Sequence, residues 1–322
     1  MFFKTVFMCM MSFMATRYPL IFNPSARSQR GRKTLRFLMS HAQWFALYAS
    51  KSAEDAMELA TNFAKNGEPV VLVAGGDGTV NTVVQGLVGS KTALGVLPSG
   101  TMNVFARELG MPLLSFKKSL EVFEKGFIKE VDLFEANDQA FVQMAGIGFD
   151  AQVIENTTAE TKKILGPLAY LASAVKALGE EPPKIKVICD DGRVEEGVCA
   201  LIGNGSLYGG QVKLFSKADP CDDVLDVLVF TEIGYKLVRD SVLGIAKGDI
   251  DTGNSTVKYL QASSFRVECD RDVPFEVDGE YVGRAKEIKL TPVKQKLRVL
   301  APESPKESFF ASVMKTITGN NG

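Results

Sequence analysis

Val70-Val71-Leu72-Val73-Ala74-Gly75-Gly76-Asp77-Gly78-Thr79-Val80-Asn81 is the stretch on which the fold turns. Val70 to Ala74 is a continuous apolar run without polar alternation. Such a valine-rich run belongs to a strand covered on both faces, as in a parallel sheet. The glycines at 75, 76 and 78 follow at once. They let the backbone turn sharply and approach a ligand with no Cβ in the way. Val80 to Leu87 then reads as a helix, whose N-terminal N–H groups and dipole suit an anion. Thr79 is placed to cap that helix or to bond a phosphate oxygen. Asp77 repels phosphate, so it makes sense beside a divalent cation or as a proton acceptor. Taken alone, the loop reads equally well as a tight strand-to-helix turn. It is not a Walker loop, which needs Gly-Lys-Ser/Thr. Nor is it a Rossmann fingerprint, because Asn81 stands where the third glycine is required.

A second copy of the design lies downstream. Ala93 to Leu97 is another buried strand, Leu97-Pro98-Ser99-Gly100-Thr101-Met102-Asn103 another glycine turn, and Thr101 to Leu109 another helix. In a parallel sheet both loops stand at the carboxyl ends of strands and face one crevice. That pairing reads as a polyphosphate site. Upstream, Tyr18 to Phe22 is a short strand stopped by Asn23-Pro24, since proline cannot continue a central strand. Thr34 to Tyr48 reads as a helix, and so does Ala53 to Asn66, with Ala56, Leu59, Ala60 and Phe63 on one face. This alternation predicts an α/β domain with a parallel sheet.

Near residue 130 the character changes. Lys184–Cys189, Val198–Ile202, Val224–Phe230, Ser264–Glu268 and Lys286–Leu290 are short, β-rich segments separated by Gly, Asp or Pro, and they read as antiparallel strands. Lys162 to Leu178 is the main helical interruption. Leu297 to Leu300 is one more strand. Beyond it Phe309, Phe310, Val313, Met314 and Ile317 fall on one helix face, suited to packing on the first domain or to a membrane or partner contact. Asp278-Gly279 between Val277 and Glu280 favours a tight hairpin turn.

Bulk properties exclude several chemistries. A chain of 322 residues points to two domains. The net charge of −1, with no long basic run, gives no reason to expect a nucleic-acid partner. One histidine, His41, rules out a His-centred triad or multi-His metal site within one chain and reads as a surface or packing residue. Cysteines at 9, 189, 199, 221 and 269 form no Cys-x-x-Cys pair and fit a reducing compartment. Met1 to Met14 is apolar and too short to span a bilayer. It reads as an early start or an interface-bound extension rather than a signal peptide.

Seven motifs in order closely resemble the catalytic-domain family of diacylglycerol kinases, sphingosine kinases and their bacterial lipid-kinase relatives. They are Asn23-Pro24, Gly75 to Asn81, Leu97 to Asn103, Asp132-Leu133, Gly146 to Ala151, Gly203-Asn204-Gly205 and Asp278-Gly279-Glu280. The resemblance runs from Pro19 to about Leu300. It implies a Rossmann-like N-terminal domain over 17–130, to which 296–322 return, and a β-sandwich domain over 131–295. It implies transfer of the ATP γ-phosphoryl group, with magnesium, to the hydroxyl of an amphipathic lipid. The implied setting is a peripheral membrane surface on the cytoplasmic inner face, and a homodimer is compatible with it. Nucleotide contacts map onto Asn23, Gly75, Gly76, Asp77, Gly78, Thr79, Asn81, Gly100, Thr101 and Asn103, with Ser50 near a family threonine. Glu280 is the implied general base, Asp278 the second choice, and Asp77 the third carboxylate of the catalytic set. A structural magnesium ion is implied at Asp219, Asp222 and Val224, although Asp223 replaces a family glycine there. Thr82 and Val104 replace a family glutamate and aspartate, which points to a changed lipid preference. A kinase for a soluble acceptor, like the NAD kinases that share Gly-Gly-Asp-Gly, and a non-catalytic nucleotide or lipid binder are the alternatives. Intact loop glycines and Asp-Gly-Glu carboxylates favour catalysis.

Overall fold

The computed structural model describes residues 17–24, 29–148, 151, 181–232 and 256–303. The N-terminal apolar segment, the helix expected over Lys162–Leu178 and the amphipathic tail lie outside the described residues.

The first layer is a six-stranded sheet in the order β2-β1-β3-β4-β18-β5. Its strands are β1 (Tyr18–Phe22), β2 (Phe45–Ala49), β3 (Val70–Gly75), β4 (Ala93–Pro98), β5 (Ile128–Val131) and β18 (Leu297–Leu300). β1 to β4 and β18 run parallel, and β5 is antiparallel at the edge. Leu72, Val73, Leu94 and Leu97 are fully enclosed, as expected for strands covered on both faces. The covering helices are α1 (Gln29–Ser40), α2 (Ala53–Lys65), α3 (Asp77–Leu87), α4 (Val104–Glu108) and α5 (Phe116–Lys125). Ser52 caps α2 by accepting the Asp55 N–H, and Ala56 and Ala60 bury that helix's inner face.

Three expectations are corrected here. The helix predicted over Thr34–Tyr48 ends at Ser40, and Phe45–Ala49 is a strand. A turn closed by the Trp44 N–H to the His41 carbonyl separates them, and β2 gains its ladder from β1. His41 stacks on Phe37 at 4.2 Å between ring centroids, which is a packing role. The helix behind the first glycine loop begins at Asp77 with Gly76 as its cap, so Thr79 lies within the first turn and does not cap it. The second loop's helix begins only at Val104, because Asn103 holds a left-handed φ of 48° and no helix continues back through it.

The second layer is antiparallel throughout. Its strands are β6 (Phe134–Ala136), β7 (Gln139–Phe141), β8 (Met144–Ile147), β9 (Ile185–Cys189), β10 (Val194–Gly197), β11 (Cys199–Gly203), β14 (Leu225–Phe230), β15 (Val257–Ala262), β16 (Phe265–Val277) and β17 (Glu280–Pro292). Their main path is β15-β14-β11-β8-β16-β17-β6-β7. A small hairpin of β12 (Leu207–Tyr208) and β13 (Val212–Lys213) stands apart. β16 and β17 form a long hairpin whose two-residue turn is Asp278 at φ 49° and Gly279 at φ 86°. Positive φ at both central positions is the type I′ pattern, which Asp-Gly favours.

Among the described residues the chain crosses between the layers twice. It leaves after β5 through Asp132-Leu133 and returns through residues 293–296 into β18. The Val293 N–H donates to the Leu133 carbonyl at 2.8 Å, so the two crossings run side by side.

Candidate active site

Both glycine loops stand at the carboxyl edge of the first sheet and meet backbone to backbone. A Cβ added to Gly76 would lie 3.1 Å from Gly100 Cα, and one added to Gly100 would overlap Gly76 Cα. Gly76 has an ordinary φ of −93°, so contact rather than torsion demands glycine there. The Ser99 N–H donates to the Gly75 carbonyl at 2.9 Å and extends the pairing. Asn103 closes the second loop: its Oδ1 accepts the Gly100 N–H at 2.9 Å and its Nδ2 donates to the Gly100 carbonyl at 2.8 Å. Thr101 stays exposed at the rim.

Asp77 ties one loop to the other. Its Oδ1 faces the start of α4, where the Phe105 N–H lies 3.4 Å away. Burial pushes the Asp77 carboxyl above its ordinary range, and the N–H groups of Phe105, Val104 and Asn103 work against that shift. Thr79 packs its side chain onto Gly75. Farther along the same edge, Asn23 is exposed after β1. Ser50 is buried after β2, its N–H donating to the Phe22 carbonyl at 2.9 Å.

The long hairpin of the second layer reaches into this edge. A Cβ on Gly78 would overlap Glu280 Oε1, so the carboxylate stands directly over the first loop. Asp278 takes a different position two residues earlier. Its Oδ1 accepts the N–H groups of Gln143 at 2.9 Å and Met144 at 3.0 Å. Its Oδ2 accepts the Val142 N–H at 3.0 Å and the Asn81 amide at 2.8 Å. Burial raises the proton affinity of Asp278, and these four donors oppose it. The carboxylate is thus a tie between α3, the β7–β8 connection and the turn of the β16–β17 hairpin. Asn81 is 7% exposed and also donates to the Ala140 carbonyl at 3.1 Å, so its amide is engaged within the protein.

Sequence reading missed a second tie. Glu108, the last residue of α4, accepts from Gln143 Nε2 at 3.1 Å, Ser206 Oγ at 2.9 Å and the Leu207 N–H at 3.0 Å. It binds the helix behind the second loop to the hairpin of β12 and β13. No local signal marks it, because its partners lie 35, 98 and 99 residues away.

The acidic loop expected to hold metal packs on the outgoing crossing, where the Asp132 N–H donates to the Pro220 carbonyl at 2.8 Å. Asp219 and Asp222 are exposed and Val224 is partly covered. Asp223 adopts φ 62°, the left-handed region that favours glycine. Its N–H donates to Asp132 Oδ2 at 2.7 Å.

The site can therefore hold an anion between two backbone loops, with one carboxylate, Glu280, suspended above them and a second, Asp77, between them. Comparison with known proteins places both parts of the chain in known families. Residues 17–136 match the diacylglycerol kinase catalytic domain, and residues 143–301 match the YegS C-terminal NAD kinase beta sandwich-like domain. A diacylglycerol kinase of Staphylococcus saprophyticus is 28% identical over 301 residues, covering 91% of this chain and 98% of its own. That of Bacillus subtilis is 27% identical, covering 83% and 90%. A crystal structure of a protein described as a diacylglycerol kinase from Bacillus anthracis superposes with a TM-score of 0.74 at 26% identity, covering 89% of this chain and 95% of its own. An NAD kinase from Archaeoglobus fulgidus in complex with ATP shares the fold alone, with a TM-score of 0.53 at 12% identity, covering 93% and 99%.

Proposed function

The chain belongs to the diacylglycerol kinase catalytic-domain family and is an ATP-dependent kinase, and we propose from that premise that it phosphorylates a hydroxyl of a diacylglycerol- or sphingoid-like lipid at a membrane surface. The observation that carries the reading is the Glu280 carboxylate over Gly78. A lipid hydroxyl is a poor nucleophile, and a carboxylate that takes its proton helps. The hydroxyl oxygen attacks the γ-phosphorus, the bond from that phosphorus to ADP breaks, and the hydroxyl proton passes to Glu280. Backbone N–H groups of Gly76 to Thr79 and of Thr101 hold the phosphates, while those of Ser99 and Gly100 are spent within the loops, with Asn23, Ser50 and Thr101 on the nucleotide side. Asn81 and Asn103 act one step back, shaping the loops. Asp278 positions the turn that carries Glu280.

Magnesium fits the donor set at the loops, since Asp77 offers a carboxylate beside the phosphate position and oxygen ligands suit that ion. Bound there with the nucleotide, it supplies charge neutralisation on the transferring group. Asp77 also orients α4 against the first loop through the Phe105 N–H.

The membrane reading has a structural support of its own. Phe127 and Ile128 are 39% and 42% exposed, and Lys125 and Lys129 flank them. They start β5 beside Leu300 and Ala301, at the same sheet edge as the glycine loops. Apolar side chains among lysines suit an anionic bilayer surface. Among the described residues no helix is long and apolar enough to cross a membrane.

The test is labelled ATP with purified protein and a panel of lipids, read by chromatography. Label in a lipid phosphate is expected. Label only in a soluble nucleotide would replace this reading with that of a soluble-acceptor kinase.

A further inference from the structure

Lys296 lies on the returning crossing, just before β18. Its ammonium stands 2.6 Å from Asp132 Oδ1 and 2.8 Å from Asp223 Oδ1. Asp132 is on the outgoing crossing and only 2% exposed. Asp223 is in the acidic loop, with its side chain 69% exposed. The two partners therefore matter differently. An exposed pair contributes little, whereas a buried carboxylate left without a counter-charge is strongly destabilising. Lys296 is the group that meets this need for Asp132.

The acidic loop is where the family resemblance implies a structural magnesium ion, and its donors do not fit one. Asp219 Oδ1 accepts the Cys221 N–H at 3.1 Å and Asp222 Oδ1 accepts the Val224 N–H at 3.1 Å, so each closes a local turn. Among the described residues no three His, Cys, Asp or Glu side chains converge as metal ligands. The buried carboxylate nearest the loop already holds an ammonium. Asp223 keeps the backbone shape of a glycine while adding a carboxylate that reaches the same ammonium.

We propose that Lys296 is the resident cation of this loop: its ammonium takes the electrostatic place of a structural divalent ion and pins the outgoing crossing, the returning crossing and the acidic loop together. The chain thereby carries its structural cation covalently. The proposal does not rest on the kinase reading, since its test measures no phosphoryl transfer.

The experiment is thermal unfolding of the nucleotide-free full chain in excess EDTA and in millimolar magnesium, with metal content measured after desalting. Equal transition temperatures and no stoichiometric magnesium are expected. Lys296→Met is expected to lower the transition by about 5 °C or more, and Lys296→Arg, which keeps the charge, to lower it less. A wild-type transition that falls in EDTA together with one magnesium ion per chain would overturn the proposal. So would a Lys296→Met protein as stable as the wild type. If that variant does not fold, the wild-type metal comparison still decides.

Discussion

Gly76 and Gly100 touch through their backbones, and this contact makes two separate strand-to-helix turns into one continuous surface. Alanine at either position is expected to push the loops apart. Gly100→Ala is the more severe, because its Cβ would overlap Gly76 Cα while that of Gly76→Ala would stand 3.1 Å from Gly100 Cα. Overpacking of this kind costs about 1–3 kcal/mol. A displacement of about 1 Å at the phosphates costs roughly a hundredfold in rate. Isothermal titration with ATP and steady-state kinetics on both variants check the order.

Glu280 and Asp278 share one turn but are expected to fail differently. Glu280→Gln should lower kcat by about 10²–10⁴-fold with ATP affinity and melting temperature unchanged. Asp278→Asn tolerates the left-handed backbone but places an NH2 group against N–H donors on one side of the carboxylate position. A loss of about 2–4 kcal/mol of stability is expected, readable by urea unfolding. Equal stability in the two variants would remove the division of labour proposed for them.

Glu108→Ala is expected to leave Ser206, the Leu207 N–H and Gln143 without their shared acceptor. Stability should fall by about 1–3 kcal/mol, and kcat should fall more than nucleotide affinity, because the second loop loses its tie to the other layer. Glu108→Gln, which keeps one carbonyl oxygen, should restore part of both.

Asp226 gives the protein a pH dependence. It is fully buried in β14, accepting from Tyr259 Oη and from Gln261 Nε2 at 3.0 Å, and burial pushes its carboxyl up to about 6. The unfolded chain ionises Asp near pH ~3.9. Between about pH 4 and pH 6 the unfolded state releases this proton first, so this group's contribution to stability falls as pH rises through that window. The penalty above pH ~6 is on the order of 3 kcal/mol. Asp226→Asn removes it, and should raise the melting temperature at pH ~7.5 while changing little at pH ~4.

Local chemistry was readable from the sequence, and distant pairing was not. Val70–Gly75, Ala93–Pro98 and the Asp278-Gly279 turn are each set by neighbours within a few residues, so periodicity and glycine placement found them. Phe45–Ala49 misled because a short apolar stretch at a sheet edge has no helical or alternating signature of its own, and only pairing with β1 makes it a strand. The glycine loops were legible as paired strand-to-helix turns at one sheet edge, but the work of the asparagines was not. Asn81 meets Asp278 across 197 residues, and no spacing rule connects them. Lys296 is one lysine among many until the fold sets it against Asp132.

β18 has a consequence for biogenesis. It lies between β4 and β5 in the first sheet, yet among the described residues it is the last strand of the chain. During synthesis β4 and β5 are made with an unfilled gap between them, and the antiparallel layer must emerge before the gap closes. A ribosome-bound chain stopped short of residue 297 therefore presents both glycine loops on an unfinished sheet with two open edges. Closure of the sheet beside β4, the strand that carries the second glycine loop, therefore waits on residues 297–300.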